Sequence, residues 1–352
     1  MLLTMLADGR LHLTAIAKLA PHLSGGAFAP CGCSGGVTSS LGCASPSADS
    51  RRRYDPRMRT ILPLLLLCAA APVATAQPGP KVPLPEGTKV LKDLPYVPGG
   101  HERQKLDLYL PPTGTRWPLV VAIHGGAFRM GSKEGEPAGV FVARGFAVAA
   151  INYRLSQHAV FPAQIEDCKA AVRWLRANEA RYGYDPERVA SYGASAGGHL
   201  AAMLGTAGDV KAFEVGANPG VSSRVQAVVD FFGPTDFLQM DAHRLSAAAM
   251  THDTPDSPES QLVGGPIRDN PDKVARANPI TYVTKDDPPF LIVHGDADAL
   301  VPHHQSELLE AALTKAGVPV RFVTIPGGLH GGDTVAKGFD QALAFLVERL
   351  KP

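Results

Sequence analysis

Gly193-Ala194-Ser195-Ala196-Gly197 sets a hydroxyl between residues small enough to let the backbone turn sharply on either side of it. The apolar pair Val189-Ala190 precedes it, and His199-Leu200-Ala201-Ala202-Met203-Leu204, a helical run, follows. At a strand-to-helix junction this pattern forces a turn that leaves the serine Oγ exposed above the sheet edge. A serine hydroxyl is a weak nucleophile until a base takes its proton, and that base needs an acid to fix its tautomer. Five residues can arise by chance, so the pattern carries meaning only if the chain also supplies a base, an acid and donors for a developing negative charge.

Two downstream loops can do so. One apolar run opens into His294-Gly295-Asp296-Ala297-Asp298 and another into Pro326-Gly327-Gly328-Leu329-His330-Gly331. His330, set among glycines, has no packing role in that pattern and is the candidate base. Asp296 and Asp298 are candidate acids, and Asp236, in the loop after the preceding run, is a third. Each could instead cap the helix behind its loop. His294, His303 and His304 compete with His330 as base. A metal site built from them lacks the His-x-x-x-His spacing of a helical ligand pair, so neither a metal nor an organic cofactor is expected. Upstream, an apolar run ends in His124-Gly125-Gly126-Ala127-Phe128. Glycines let backbone N–H groups approach a substrate closely, which makes Gly125, Gly126 and Ala127 a candidate oxyanion loop.

Elements that could hold these groups recur along the chain. Leu106–Leu110 alternates, whereas Pro118–Ile123 and Phe146–Ile151 are continuous apolar runs, the mark of strands covered on both faces. Further strands are expected over Val225–Phe232, Phe290–Val293 and Val320–Ile325, and helices between Phe161 and Tyr182, from Ser306 to Ala316 and from about Thr334 to Leu350. Alternation of this kind predicts an α/β fold, a mostly parallel central sheet with helices on both faces. Only the stretch 237–283, rich in Met, His and Pro pieces, breaks the rhythm and reads as a small lid insertion.

The 352 residues are 45% hydrophobic and 19% charged with a formal net charge of +1, which gives no basis for a nucleic-acid or acidic-membrane partner. No apolar run is long enough to span a bilayer. Met58-Arg59-Thr60, the apolar run Ile61–Ala71 and Ala74-Thr75-Ala76 read as a secretory signal peptide over 58–76, placing the mature chain outside the cytoplasm, secreted or periplasmic. Residues 1–57 then read as an upstream or disordered extension and 77–352 as the functional domain. Four cysteines fall before residue 77, and the fifth, Cys168, sits within a helical pattern as a core residue.

From Leu106 to Leu350 the chain resembles α/β-hydrolase esterases of the hormone-sensitive-lipase-like and bacterial feruloyl and acetyl-xylan esterase group. The resemblance rests on the Ser195 elbow, His124-Gly125-Gly126-Ala127-Phe128, Asn152-Tyr153-Arg154-Leu155, Phe161-Pro162-Ala163, Asp167–Leu175, Ala277-Asn278-Pro279 and His294-Gly295-x-x-Asp298-x-x-Val301-Pro302. It implies a Ser195–Asp298–His330 triad, with Asp298 rather than Asp296 as the acid. It also implies oxyanion donors at Gly126, Ala127 and Ala196, and Tyr153, Arg154 and Asp167 as scaffold with a half-buried charge pair. The implied activity is hydrolysis of short-chain or plant-polysaccharide esters through an acyl-enzyme. An arylformamidase-like amidase or a serine peptidase would use the same triad, and a non-catalytic binding module of this fold would show a broken one.

Overall fold

The computed structural model describes residues 2–5, 11–14, 82–246 and 249–351. The chain divides into a unit over 1–68 and a second over 69–352. Of the first, the described residues form two short strands, β1 (Leu2–Met5) and β2 (Leu11–Thr14), paired antiparallel. The rest of the extension and the signal peptide expected over 58–76 lie outside the described residues.

The second unit holds an eight-stranded sheet. Its strands are β3 (Lys89–Pro95), β4 (Lys105–Leu110), β5 (Trp117–Ile123), β6 (Ala147–Ile151), β7 (Tyr184–Ala194), β8 (Ala227–Phe231), β9 (Phe290–Gly295) and β10 (Val320–Ile325). They lie in the order β10-β9-β8-β7-β5-β6-β4-β3, parallel from β10 to β6, with β4 antiparallel to both its neighbours. The helices are α1 (Ala138–Ala143), α2 (Ala163–Ala177), α3 (Glu179–Tyr182), α4 (Ala196–Thr206), α5 (Pro258–Val263), α6 (Pro271–Ala277), α7 (His304–Ala316) and α8 (Gly332–Leu350).

Alternate residues of β5 enter opposite cores. Leu119, Val121 and Ile123 join α2, α4 and α7 on one face, and Val120 and Ala122 join α1 and α8 on the other. Two-sided cover explains why β5, β6 and the first four residues of β9 read as unbroken apolar runs, while β8 is broken only by the buried Asp230. On α2, Ile165, Cys168, Val172 and Leu175 recur at helical spacing and are fully buried, so Cys168 is a core residue. Burial pushes its thiol pKa up, away from reactivity.

The chain goes from β5 outward to β6 on one side and returns to β7 on the other, so strand order reverses between β5 and β7. A parallel sheet opens a crevice at its carboxyl edge where this happens. The loop after β5 is the glycine loop at 124–128, and the loop after β7 is Ser195 itself. The stretch 237–283 folds into α5, α6 and single turns of 3₁₀-helix, and among the described residues no helix is long and apolar enough to cross a membrane.

Candidate active site

The elbow is built by what its glycines lack. A Cβ on Gly193 would stand 2.2 Å from the Gly197 carbonyl oxygen, and one on Gly197 would stand 2.0 Å from that of Ile123. Neither contact is tolerable, so strand, turn and helix can meet here only through glycine. Ser195 takes φ 58° and ψ −126°, a strained conformation for an L-residue. It is held by its N–H donating to Phe231 O (2.8 Å) and its C=O accepting from His199 N (3.0 Å). The side chain stands at the N-terminus of α4, where the first amides have no intrahelical acceptor.

The other groups converge on that hydroxyl. His330 Nε2 lies 2.9 Å from Ser195 Oγ, and His330 Nδ1 lies 2.7 Å from Asp298 Oδ2. Phe232 packs on the imidazole with ring centroids 4.6 Å apart. Asp298 Oδ1 accepts from Leu300 N (2.8 Å) and Val301 N (2.9 Å), which fixes the carboxylate plane. Burial opposes its charge, but the hydrogen bonds it accepts from His294 and His330 outweigh that and hold its carboxyl well below the ordinary range.

The residues that competed for these places do other work. Asp296 Oδ1 accepts from Gly327 N (2.6 Å), tying the loop of Asp298 to that of His330, and Ala297 N–H donates to Gly328 O (3.0 Å) beside it. Asp236 caps a 3₁₀ turn by accepting from Leu238 N. His294 is fully buried, donating from Nε2 to Val301 O (3.0 Å) and accepting at Nδ1 from the Ser306 hydroxyl (2.7 Å); burial lowers its pKa and keeps it neutral. His303 and His304 both turn to Glu307.

The glycine loop faces the same point. Gly126 has φ 113°, and a Cβ there would fall 2.4 Å from Met130 O, so only glycine makes this turn. Gly126, Ala127 and Ala196 line the cleft with Ser195 and His330, while Gly125 is not among its lining residues. No backbone carbonyl of the described residues accepts from the amides of Gly126 or Ala127. A brace holds this loop from behind. His124 donates from Nδ1 to Gly125 O (2.7 Å) and accepts at Nε2 from Arg103 Nη2 (3.0 Å). Burial drops the His124 pKa to about 4, so the ring stays neutral and that tautomer is kept. Tyr153 stacks on the ring at 4.4 Å and donates to His124 O (3.0 Å). Arg154 is half-buried and clamps the buried carboxylate of Asp167 at 2.7 Å, the scaffold pair expected from the motif.

The stretch 237–283 supplies part of the wall. Met250, His252, Pro258 and Glu259 line the cleft together with Phe128, Arg129, Met130, Leu300 and Val301. His252 and Glu259, which sequence reasoning missed, form a buried pair at 3.0 Å, and His252 Nε2 reaches Leu300 O at 3.0 Å, two residues past Asp298. Seven residues and a turn separate the two, a spacing with no periodic signature. With acceptors at both ring nitrogens, His252 must be an imidazolium to donate at both. Burial would lower its pKa, but the hydrogen bond and charge of Glu259, the charge of Asp241 and the Leu300 carbonyl raise it above its ordinary 6.5. The folded state therefore holds this proton more tightly than the unfolded chain. The stabilisation is complete below about pH 6.5 and is lost as pH rises through the folded value. His252→Ala leaves Glu259 buried without its partner, and a loss of about 3 kcal/mol is expected. Melting curves across pH 6–9 check both points: the variant should melt lower than the parent and lose part of the parent's alkaline decline.

Comparison with known proteins gives these distances a context. A family profile described as BD-FAE matches residues 106–313, which include Ser195 and Asp298. Esterase LipQ of Mycobacterium tuberculosis is 33% identical over 252 residues, 69% of this chain and 58% of that protein. The carboxylic ester hydrolase LipM of the same organism, so named as probable, is 33% identical over 73% of this chain and 59% of its own length. The chain thus spans somewhat under three fifths of these curated relatives. Among solved structures, a truncated carbohydrate esterase from gut microbiota superposes with TM-score 0.69 at 33% identity, over 77% of this chain and 99% of that one. A bifunctional GH43-CE protein of Bacteroides eggerthii superposes with TM-score 0.68 at 37% identity, over 74% of this chain and 35% of its own. The chain belongs to the BD-FAE family, among the α/β-hydrolase esterases of the hormone-sensitive-lipase-like and feruloyl-esterase group.

Proposed function

We propose that this protein is a serine carboxylesterase that works through Ser195, His330 and Asp298. The observation that carries the reading is the unbroken line from Ser195 Oγ through His330 (2.9 Å) to Asp298 (2.7 Å), ending in the cleft. Ser195 Oγ attacks an ester carbonyl as His330 Nε2 takes its proton. Asp298 receives the Nδ1–H bond throughout and stabilises the imidazolium that forms. The carbonyl oxygen becomes an oxyanion facing the amides of Gly126, Ala127 and Ala196, the last at the positive end of α4. His330 then gives its proton to the leaving alcohol. Water, activated by the same imidazole, releases the acid from the acyl-enzyme in the reverse sequence. Every step is acid–base or nucleophilic and is accounted for by side chains and amides in place.

The cleft and the leader read from the sequence support a substrate class. A small, largely apolar cleft beside Ser195 suits a short acyl chain or a small aromatic acid. A leader read over 58–76 would deliver the enzyme outside the cytoplasm, and likeness to a carbohydrate esterase supports ester-decorated plant polysaccharide as the target. Protein starting at Gln77 should hydrolyse 4-nitrophenyl acetate and butyrate faster than the decanoate, and should release acid from acetylated xylan or methyl ferulate. Turnover of the aryl esters without either natural ester would leave the esterase and remove the polysaccharide assignment. Preference for an N-formyl aromatic amide would replace the esterase by an amidase.

A further inference from the structure

Arg129 follows the oxyanion loop by two residues and lines the cleft that holds Ser195. Its Nε is buried and has no hydrogen-bond partner among the described residues. Its guanidinium makes one long contact, Nη1 to Asp256 O at 3.4 Å, and no carboxylate of the described residues lies within ion-pair distance of it. A buried donor left unpaired is destabilising, the more so when it is charged. Such a group persists where something outside the chain completes it.

The charges around it are otherwise settled. Glu259, the carboxylate in the cleft wall, is neutralised by the His252 imidazolium at 3.0 Å. Asp298 is buried behind His330 and committed to it and to two backbone amides. The remaining wall is mostly apolar, with Phe128, Met130, Met250 and Leu300 offering no counter-charge. Arg129 is therefore the cleft's uncompensated positive charge, bearing the planar donor fork that matches a carboxylate.

We infer that Arg129 is a substrate-binding residue that recognises a carboxylate on the non-reacting part of the ester. This deepens the esterase reading and rests on it. The carboxylate could stand on the acyl side, as in the half-ester of a dicarboxylic acid, or on the alcohol side, as in an acylated uronic acid. Two matched pairs separate the sources: mono-4-nitrophenyl adipate against its adipamic counterpart, and acetylated glucuronic acid against acetylated glucuronamide. In one pair the wild-type enzyme should show kcat/KM at least about tenfold higher for the carboxylate, the discrimination expected of a charge-assisted bidentate bond. Arg129→Met should erase that ratio, chiefly through KM, and Arg129→Lys should restore part of it. Equal ratios in wild type and Arg129→Met, or a wild-type preference for the neutral member of both pairs, overturn the inference while leaving the esterase intact. Should the variants not fold, the wild-type ratios alone decide it by the same criterion. If the wild type turns over neither member of either pair nor 4-nitrophenyl butyrate, the esterase reading has failed and this inference falls with it.

Discussion

Ser195→Ala is expected to lower kcat on 4-nitrophenyl butyrate by about 10⁶-fold, since loss of the nucleophile costs as much as loss of the whole triad. The fold should survive. The elbow is held by backbone bonds to Phe231 O and His199 N and by the close approach of Gly193 and Gly197, none of which involves Oγ. Alanine removes one partner of the Oγ–Nε2 bond, and His330 stays anchored by Asp298 and by the Phe232 ring. A melting temperature close to the parent's, with activity at the level of buffer hydrolysis, is the expected pair of results. Activity within tenfold of the parent would remove Ser195 from the chemistry.

Asp298→Asn is expected to cost about 10⁴-fold in kcat with little change in KM. Asparagine can still accept from Leu300 N and Val301 N through its oxygen, which turns its NH₂ toward His330 Nδ1. Two donors then face each other. The imidazole answers by carrying its proton on Nε2, where it points at Ser195 Oγ and can no longer accept. Asp296→Asn is the control, because Oδ1 of either residue accepts from Gly327 N. Its loss should be that of a weakened hydrogen bond, about 1 kcal/mol or a factor of about 5. Equal losses at the two positions would contradict the assignment of the acid. Asp298 also stabilises the fold in a pH-dependent way. Its carboxyl titrates lower in the folded chain than in the unfolded one, so its contribution is present above about pH 4 and is lost as acid protonates the folded form.

The strands at the centre of the sheet were legible because burial on both faces writes them as unbroken apolar runs, as at Pro118–Ile123 and Phe290–Val293. The first half of β7, Tyr184–Arg188, was not: it carries Asp185, whose carboxylate meets Arg116, Arg188 and the Glu187 N–H, and the exposed Glu187. Between 237 and 283 the helices are a turn or two long, too short to show a period. In the site, Ser195 and His330 could be singled out from their glycine surroundings. The acid could not be chosen from spacing alone, because Asp296 and Asp298 share a loop. The family resemblance favoured Asp298, and in the fold Asp296 ties two loops together while Asp298 meets the imidazole. His252, Glu259 and Arg129 left no pattern at all, since each is placed by a turn and not by a repeat.

Treatment of the full-length protein with a fluorophosphonate, followed by peptide mass spectrometry, tests the central claim most directly. The reagent reports a nucleophilic serine whatever the natural ester is, and its phosphonyl oxygen occupies the position of the oxyanion. One adduct per chain is predicted, on the peptide containing Gly193–Gly197, forming in step with loss of esterase activity and absent from Ser195→Ala. Esterase activity that survives stoichiometric labelling of Ser195, or inactivation with the label on another residue, would contradict the account.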